Sequence, residues 1–239
     1  EWYFLGGFGS ELGNSNWEVI LMANDLCNRY GLDVGSVSAY TAWLMELYQK
    51  GIIDKEFTEG MALDWGNGEA ILELIHQIAR REGLGAKIAN GWREAAKVIG
   101  KGCEYFIPNT KGLTVECIDD RALRATALGS STSNRGYDHL RGRLNIEFMG
   151  LPQGFLERYF GRSISSDPTA WEGKAFAAAW IQDLTTLADT LGICKFATKW
   201  LGDPNLLGFE EFSELVNVAT GTQVTVTQLR EIAERIWSL

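Results

Sequence analysis

The stretch Asn16-Trp17-Glu18-Val19-Ile20-Leu21-Met22-Ala23-Asn24-Asp25-Leu26-Cys27-Asn28-Arg29-Tyr30-Gly31-Leu32-Asp33 decides the fold class. Trp17, Ile20, Leu21, Asn24, Cys27 and Asn28 recur at helical spacing, the period that brings side chains onto one face. Asn16 is short and polar, suited to accepting an N–H from a first helical turn. Gly31 can adopt the left-handed conformation in which helices end. One helix is predicted between them, and the same grammar continues outward. Asp33 can cap a helix that carries Val37, Tyr40, Leu44 and Leu47 to a stop at Gly51. Residues 67–81 place Ile71, Leu74, Ile75 and Ile78 on one face, and residues 91–99 stop at Gly100. Pro152 suits the first turn of a short helix to Tyr159. Residues 171–191 read as a long alanine-rich helix and 209–219 as another. Thr225-Val226-Thr227-Gln228 has capping-box spacing and opens the last helix. Only 112–118 and 223–226 look extended, so the expected fold is mainly α. Pro108 and the turn formers of 101–114 place a domain boundary at 107, giving domains 1–107 and 108–239.

Composition narrows the function classes. The chain has 239 residues, enough for one large or two small domains. Aspartate and glutamate number 31 against 22 lysines and arginines, a net charge of −9. Such a chain lacks the basic field of a nucleic-acid binder, so none is expected as a partner. No apolar run approaches the roughly 18–20 residues of a membrane span, and no signal peptide is visible. Four cysteines are too few for a disulfide scaffold, and a reducing, cytoplasmic setting is expected. The chain opens on the dense apolar run Glu1-Trp2-Tyr3-Phe4-Leu5 without methionine and ends inside a helical pattern. It reads as an internal piece of a longer polypeptide.

Only two histidines are present. His76 lies mid-helix and reads as structural or exposed. His139 follows the polar run Ser131-Thr132-Ser133-Asn134-Arg135-Gly136-Tyr137-Asp138, which has no helical apolar face. A loop histidine there can exchange protons near neutral pH or simply hydrogen-bond the loop. The cysteines form no CxxC pair, so a self-contained zinc or iron–sulfur site is not expected. Cys27 reads as a buried thiol. Cys194 stands on a glycine turn after a long helix, either packed or turned towards a cluster held mainly by another segment. Asn28-Arg29-Tyr30-Gly31-Leu32-Asp33 and Asp189-Thr190-Leu191-Gly192-Ile193-Cys194 share one spacing. Glycine lets the backbone approach a flat ligand, and the short polar residues offer hydrogen bonds. Two ordinary helix-ending glycines would look the same.

At these residues the sequence resembles the tungsten-pterin aldehyde:ferredoxin oxidoreductase family, which includes the tungsten subunit of a class of benzoyl-CoA reductases. The likeness includes Phe8-Gly9-Ser10-Glu11-Leu12-Gly13, Ala23 to Asp33, Met45 to Ile53, Thr132-Ser133-Asn134-Arg135-Gly136, His139-Leu140-Arg141, Asp189 to Phe196 and Glu234-Arg235-Ile236-Trp237. It runs in order along nearly the whole chain. The resemblance implies helical domains 2 and 3 of that fold. It also implies a tungsten ion held by two pterin cofactors (a tungsten bis-pterin, or tungstopterin), a 4Fe–4S cluster, and magnesium.

The pterins of the family contact a pair of D-x-x-G-L-(C/D) motifs. The resemblance therefore marks Asn28, Gly31, Leu32 and Asp33, then Asp189, Gly192, Ile193 and Lys195, as cofactor-binding. Asn28 stands where aspartate is usual, a neutral amide that still hydrogen-bonds. Cys194 matches the fourth cluster ligand, the other three belonging to a C-x-x-C-x-x-x-C segment that would precede residue 1. His139 matches the histidine near tungsten. Glu1 matches the first glutamate of a P-E-Y-E-like stretch, and Tyr3 stands where the second would be. A phenol, with a pKa near 10, is a poor base at pH 7, which points to a divergent substrate.

The activity this implies is oxidation of an aldehyde to a carboxylic acid, with electrons passing to ferredoxin or an iron–sulfur electron-transfer subunit. Reduction of an aryl-CoA substrate is the variant, and the remainder of the polypeptide is a necessary partner. The contrasting expectation is a non-catalytic helical interaction module that kept the fold without the cofactors.

Overall fold

The computed structural model describes residues 3–115, 117, 120–144 and 146–239. The chain divides into two compact units, 1–118 and 119–239. The stretch 108–118, whose proline suggested a boundary at 107, belongs to the first.

The first unit holds helices α1 (Tyr3–Gly7), α2 (Trp17–Tyr30), α3 (Val34–Gln49), α4 (Gly68–Arg80), α5 (Gly83–Ile88) and α6 (Trp92–Ile99). A short antiparallel hairpin follows, β1 (Asn109–Thr110) with β2 (Leu113–Thr114), in the register Asn109↔Thr114. The Asn16 side chain accepts the Glu18 N–H at 3.0 Å and starts α2. The Asp33 carboxylate accepts the Ser36 N–H at 2.7 Å and starts α3. Phe8, Leu12, Ile20, Leu44 and Leu74 meet in the core around Trp43. The Trp43 indole N–H donates to the Cys103 carbonyl at 3.2 Å, satisfying its one buried polar atom. Tyr40 stacks on Trp92 with ring centroids 3.7 Å apart.

The second unit holds α7 (Arg124–Thr132), α8 (His139–Gly142), α9 (Ile146–Met149), α10 (Gln153–Phe160), α11 (Lys174–Thr190), α12 (Phe209–Thr220) and α13 (Val226–Trp237). α11 is its axis, buried from Lys174 through Ala188 over most of its residues, and α7, α8 and α13 pack on it. At its start the Lys174 ammonium meets the Glu147 carboxylate at 2.8 Å, both side chains only 2% exposed. The same carboxylate accepts the Ala125 and Thr126 N–H groups and the Thr126 hydroxyl. It therefore caps α7 while pairing α11.

Four local expectations are corrected. α5 and α7 lie outside the helices the sequence predicts: α5 buries Leu84 and Ile88 in the core, whereas α7 buries only small residues, and both make close glycine contacts. A Cβ on Gly85 would lie 2.1 Å from the Gln77 backbone, and one on Gly129 would lie 2.1 Å from the Gly142 carbonyl oxygen. α11 begins at Lys174 rather than 171 because Gly173, at φ +75°, breaks the helical path before it. Residues 223–226 form no strand: Val224 is bonded at both its N–H and its carbonyl by side chains of α12, Asn217 and Ser213. His139 lies not in an open loop but at the first position of a helical turn.

Two outcomes are expected. Glu147→Gln leaves the Lys174 charge buried and unpaired, and should destabilise the chain by about 3–5 kcal/mol, read as a lowered midpoint in urea. Burial pushes the Glu11 carboxyl up from 4.5 to about 7, against a hydrogen bond from Ser38 that pulls it down. Its folded value lies above its unfolded one, so its stabilising share is complete below about pH 4.5 and is lost as pH rises through 7. Glu11→Gln should flatten that part of the stability–pH curve and raise stability at pH 8. A curve unchanged from the parent would contradict this assignment.

Candidate functional site

The two motifs are built as the same turn. At the end of α2, the Gly31 N–H returns to the Asn28 carbonyl at 3.3 Å and the Leu32 N–H to that of Cys27 at 2.9 Å. At the end of α11, the Gly192 N–H returns to Asp189 at 3.2 Å and the Ile193 N–H to Ala188 at 2.8 Å. Gly31 and Gly192 have φ of +67° and +69°, the left-handed residue that closes the last carbonyls of a helix. Asp33 (φ −72°, ψ 117°) and Cys194 (φ −62°, ψ 127°) then start the next helical turn in the same extended conformation. Both glycines are helix-ending residues, and both are also open: a Cβ on either would have nothing within 4 Å.

The side chains of the turns differ. The Asn28 amide folds onto its own helix, donating to the Asn24 carbonyl at 2.9 Å. Asp189 projects into a charged cluster, 2.7 Å from the Lys195 ammonium and 3.4 Å from the Arg141 guanidinium. Asp33 uses one carboxylate oxygen as a helix cap. Cys194 stands at the equivalent place with an exposed thiol and no capping bond.

His139 is brought to the second motif. Asp138, buried, caps its turn by accepting the Leu140 N–H at 3.0 Å. It also pairs with Arg135 at 2.5 Å and faces Arg141 at 3.9 Å. Arg141 thus lies between the carboxylate beside His139 and that of Asp189. From the other side the His139 ring faces Trp200, with centroids 6.4 Å apart. Trp200 belongs to the turn Lys199–Leu201, shortly after the motif.

Arg141 enters the sequence reading only as part of the stretch His139-Leu140-Arg141, with no role given to it, and Trp200 does not enter at all. The available signal for Arg141 was its helical spacing from Asp138, which favours an ion pair. Glu1 lies outside the described residues. Tyr3 packs against Gly35, and its hydroxyl accepts the Cys117 N–H at 3.4 Å. His76 is structural, its Nδ1 meeting the Tyr30 hydroxyl at 2.8 Å, and the Cys103 thiol is buried. The Cys27 thiol is pushed up to about 12, by burial and then by the Asp33 charge, which keeps it protonated and unreactive. Among the described residues, no group of three or more His, Cys, Asp or Glu is placed to hold a metal ion, and no helix is long and apolar enough to cross a membrane.

The family model described as aldehyde ferredoxin oxidoreductase, domains 2 and 3, matches residues 1–239. The chain belongs to this family. The tungsten-containing aldehyde ferredoxin oxidoreductase of Pyrococcus furiosus is 32% identical over 240 residues, covering all of this chain and 37% of that protein. The corresponding protein of Thermococcus kodakarensis is 30% identical with the same coverage. The WOR-like subunit of an aliphatic sulfonate oxidoreductase from Pyrococcus furiosus is 28% identical over 95% of this chain and 32% of its own. Among solved structures, the active-site complex BamBC of benzoyl coenzyme A reductase with 1,5-dienoyl-CoA has a TM-score of 0.70 at 21% identity. It covers 92% of this chain and 37% of that one. That likeness bears on the fold, which is the mainly helical one of the aldehyde ferredoxin oxidoreductase family. The chain spans little more than a third of the length of these aldehyde ferredoxin oxidoreductase relatives.

The matched turns make a joint prediction. Gly31→Ala and Gly192→Ala should each cost about 1–2 kcal/mol, the penalty of a side chain in the left-handed region. Neither should cost more, because no neighbour is struck. Unequal losses in denaturation would show that the two turns are not equivalent.

Proposed function

We propose that this chain is the helical part of a tungsten-pterin oxidoreductase. In this reading each motif turn holds one pterin, Cys194 supplies one thiolate to a 4Fe–4S cluster, and His139 handles the proton. The observation that carries the reading is the closely matched backbone of the two turns, each with an open glycine face. The residues fit a flat ligand rich in hydrogen-bonding edges. A peptide plane without a neighbouring side chain allows close approach. The cap leaves the second carboxylate oxygen of Asp33 for a donor, and Asp189 adds a second anionic acceptor. With Asn28 folded onto its own helix, Asp33 and the backbone carry the polar contacts of the first turn. The exposed Cys194 thiol is suited to a ligand shared with another segment.

The tungsten centre supplies the two-electron chemistry when bound. The chain's own part is orientation and proton movement. Lys195 and Arg141 fix the Asp189 carboxylate, so its acceptor direction is set before a ligand arrives. Asp138 caps the His139 turn and fixes the ring's backbone. Oxidation of an aldehyde to an acid takes an oxygen from water and releases protons, and the imidazole Nδ1 or Nε2 is the atom that receives one. Ferredoxin or an iron–sulfur subunit takes the electrons. Reduction of an aromatic acyl-CoA would use the same groups in the opposite proton direction. A second reading, a helical module without cofactors, draws on the Asn28 amide being turned back onto α2.

Metal analysis of the complete polypeptide separates the two readings. Tungsten with about four irons per chain is expected, and the absence of both would leave the module. Cys194→Ser should lower the iron content. His139→Asn should keep tungsten and iron and cut turnover by about 100-fold or more. Full metal with near-normal turnover would make His139 a structural residue.

A further inference from the structure

The His139 turn has a mechanical problem. It is four residues long, His139 to Gly142, and a single helical turn does not hold itself in water. Its position depends on what it is tied to. One tie is to α11, where the Thr185 hydroxyl donates to the Arg141 carbonyl at 2.9 Å. The Gly142 backbone at its end lies against Gly129 of α7, and a further tie is the Arg141 side chain. Its Nε faces Asp138 Oδ2 at 3.9 Å and its Nη1 faces Asp189 Oδ2 at 3.4 Å. Lys195 takes the other oxygen, Oδ1, of Asp189 at 2.7 Å, so the two oxygens have separate partners. Arg135 also pairs with Asp138, but its side chain is 56% exposed against 23% for Arg141. Water screens the exposed pair more. Arg141 is thus the side chain that joins the carboxylate next to His139 to the carboxylate of the second motif. A planar guanidinium can address two carboxylates with different nitrogens, whereas an ammonium is a point charge.

We propose that Arg141 is a positioning residue that holds the His139 turn at a fixed distance from the Asp189 motif, so that the proton-handling ring and the ligand at that motif move as one piece. This rests on the function proposed above for the same site.

The test uses the complete enzyme with Arg141→Met and Arg141→Lys, and three readouts. These are tungsten and iron content, the split between kcat and KM, and amide hydrogen exchange over residues 138–143. Metal content should equal that of the parent. Exchange in the segment should speed up by about 10-fold in both variants, as a local opening freed of one tie. A misplaced catalytic group should lower kcat by about 10-fold or more while KM stays within about 2-fold. Arg141→Lys should not restore the parent, because one ammonium cannot meet both carboxylates. In a cycle with Asp189→Asn, the two changes should not add in exchange rate, since each cuts the same tie. Unchanged exchange, additive effects, or full recovery with lysine would each overturn the proposal. A parent enzyme without tungsten would defeat the function assigned to the site, while the exchange cycle would still test the tie.

Discussion

A helix ends well only if its last carbonyls find donors, and this one constraint organises the candidate site. In α2 and α11 the donors are the N–H groups of a left-handed glycine and of the aliphatic residue after it. Closing the helix in that way fixes the direction in which the chain leaves. The residue two places beyond the glycine, Asp33 in one case and Cys194 in the other, is therefore delivered in the same backbone conformation. One geometry presents a carboxylate at one end and a thiol at the other. What each turn offers a ligand is decided by side-chain identity, on a frame set by main-chain hydrogen bonding alone.

The frame of the second turn is as firm as α11, which is secured differently at its two ends. At its start a buried ammonium and carboxylate neutralise each other while the carboxylate caps α7. At its finish the charges of Asp189, Lys195 and Arg141 are partly open to water. The deeply buried pair resists change because either charge left alone in the interior is costly. The partly exposed cluster holds its turn through pairs that water screens more. The helix is thus anchored most firmly at its start, with a lighter, more screened hold at its finish.

Much of this was legible in the sequence where periodicity and end signals agreed. Asn16, Asp33 and Thr225 cap the helices they are expected to cap, because a short polar side chain before an apolar stripe has few other uses. The family resemblance also agrees with the family the chain belongs to. What escaped notice were helices without a stripe. The sequence of α7, Arg-Ala-Thr-Ala-Leu-Gly-Ser-Ser-Thr, is nearly all small residues, and its packing comes from close backbone approach. The Arg141 link escaped for another reason. Its partner Asp189 is 48 positions away (189 minus 141), and a pairing made by tertiary folding leaves no local pattern to read.

The contact between Gly129 and Gly142 has a consequence for how this protein could change. A side chain on Gly142 would press against Gln182 and Gly129, and one on Gly129 would run into the Gly142 carbonyl. The backbone of α7 and the end of the histidine turn are thus already at contact distance, with no room for even a methyl group. Sequence change here cannot proceed by sliding that turn sideways a little at a time. It is confined to exchanging side chains around a fixed backbone, so variety has to arise at the exposed positions while the packed glycines stay where they are.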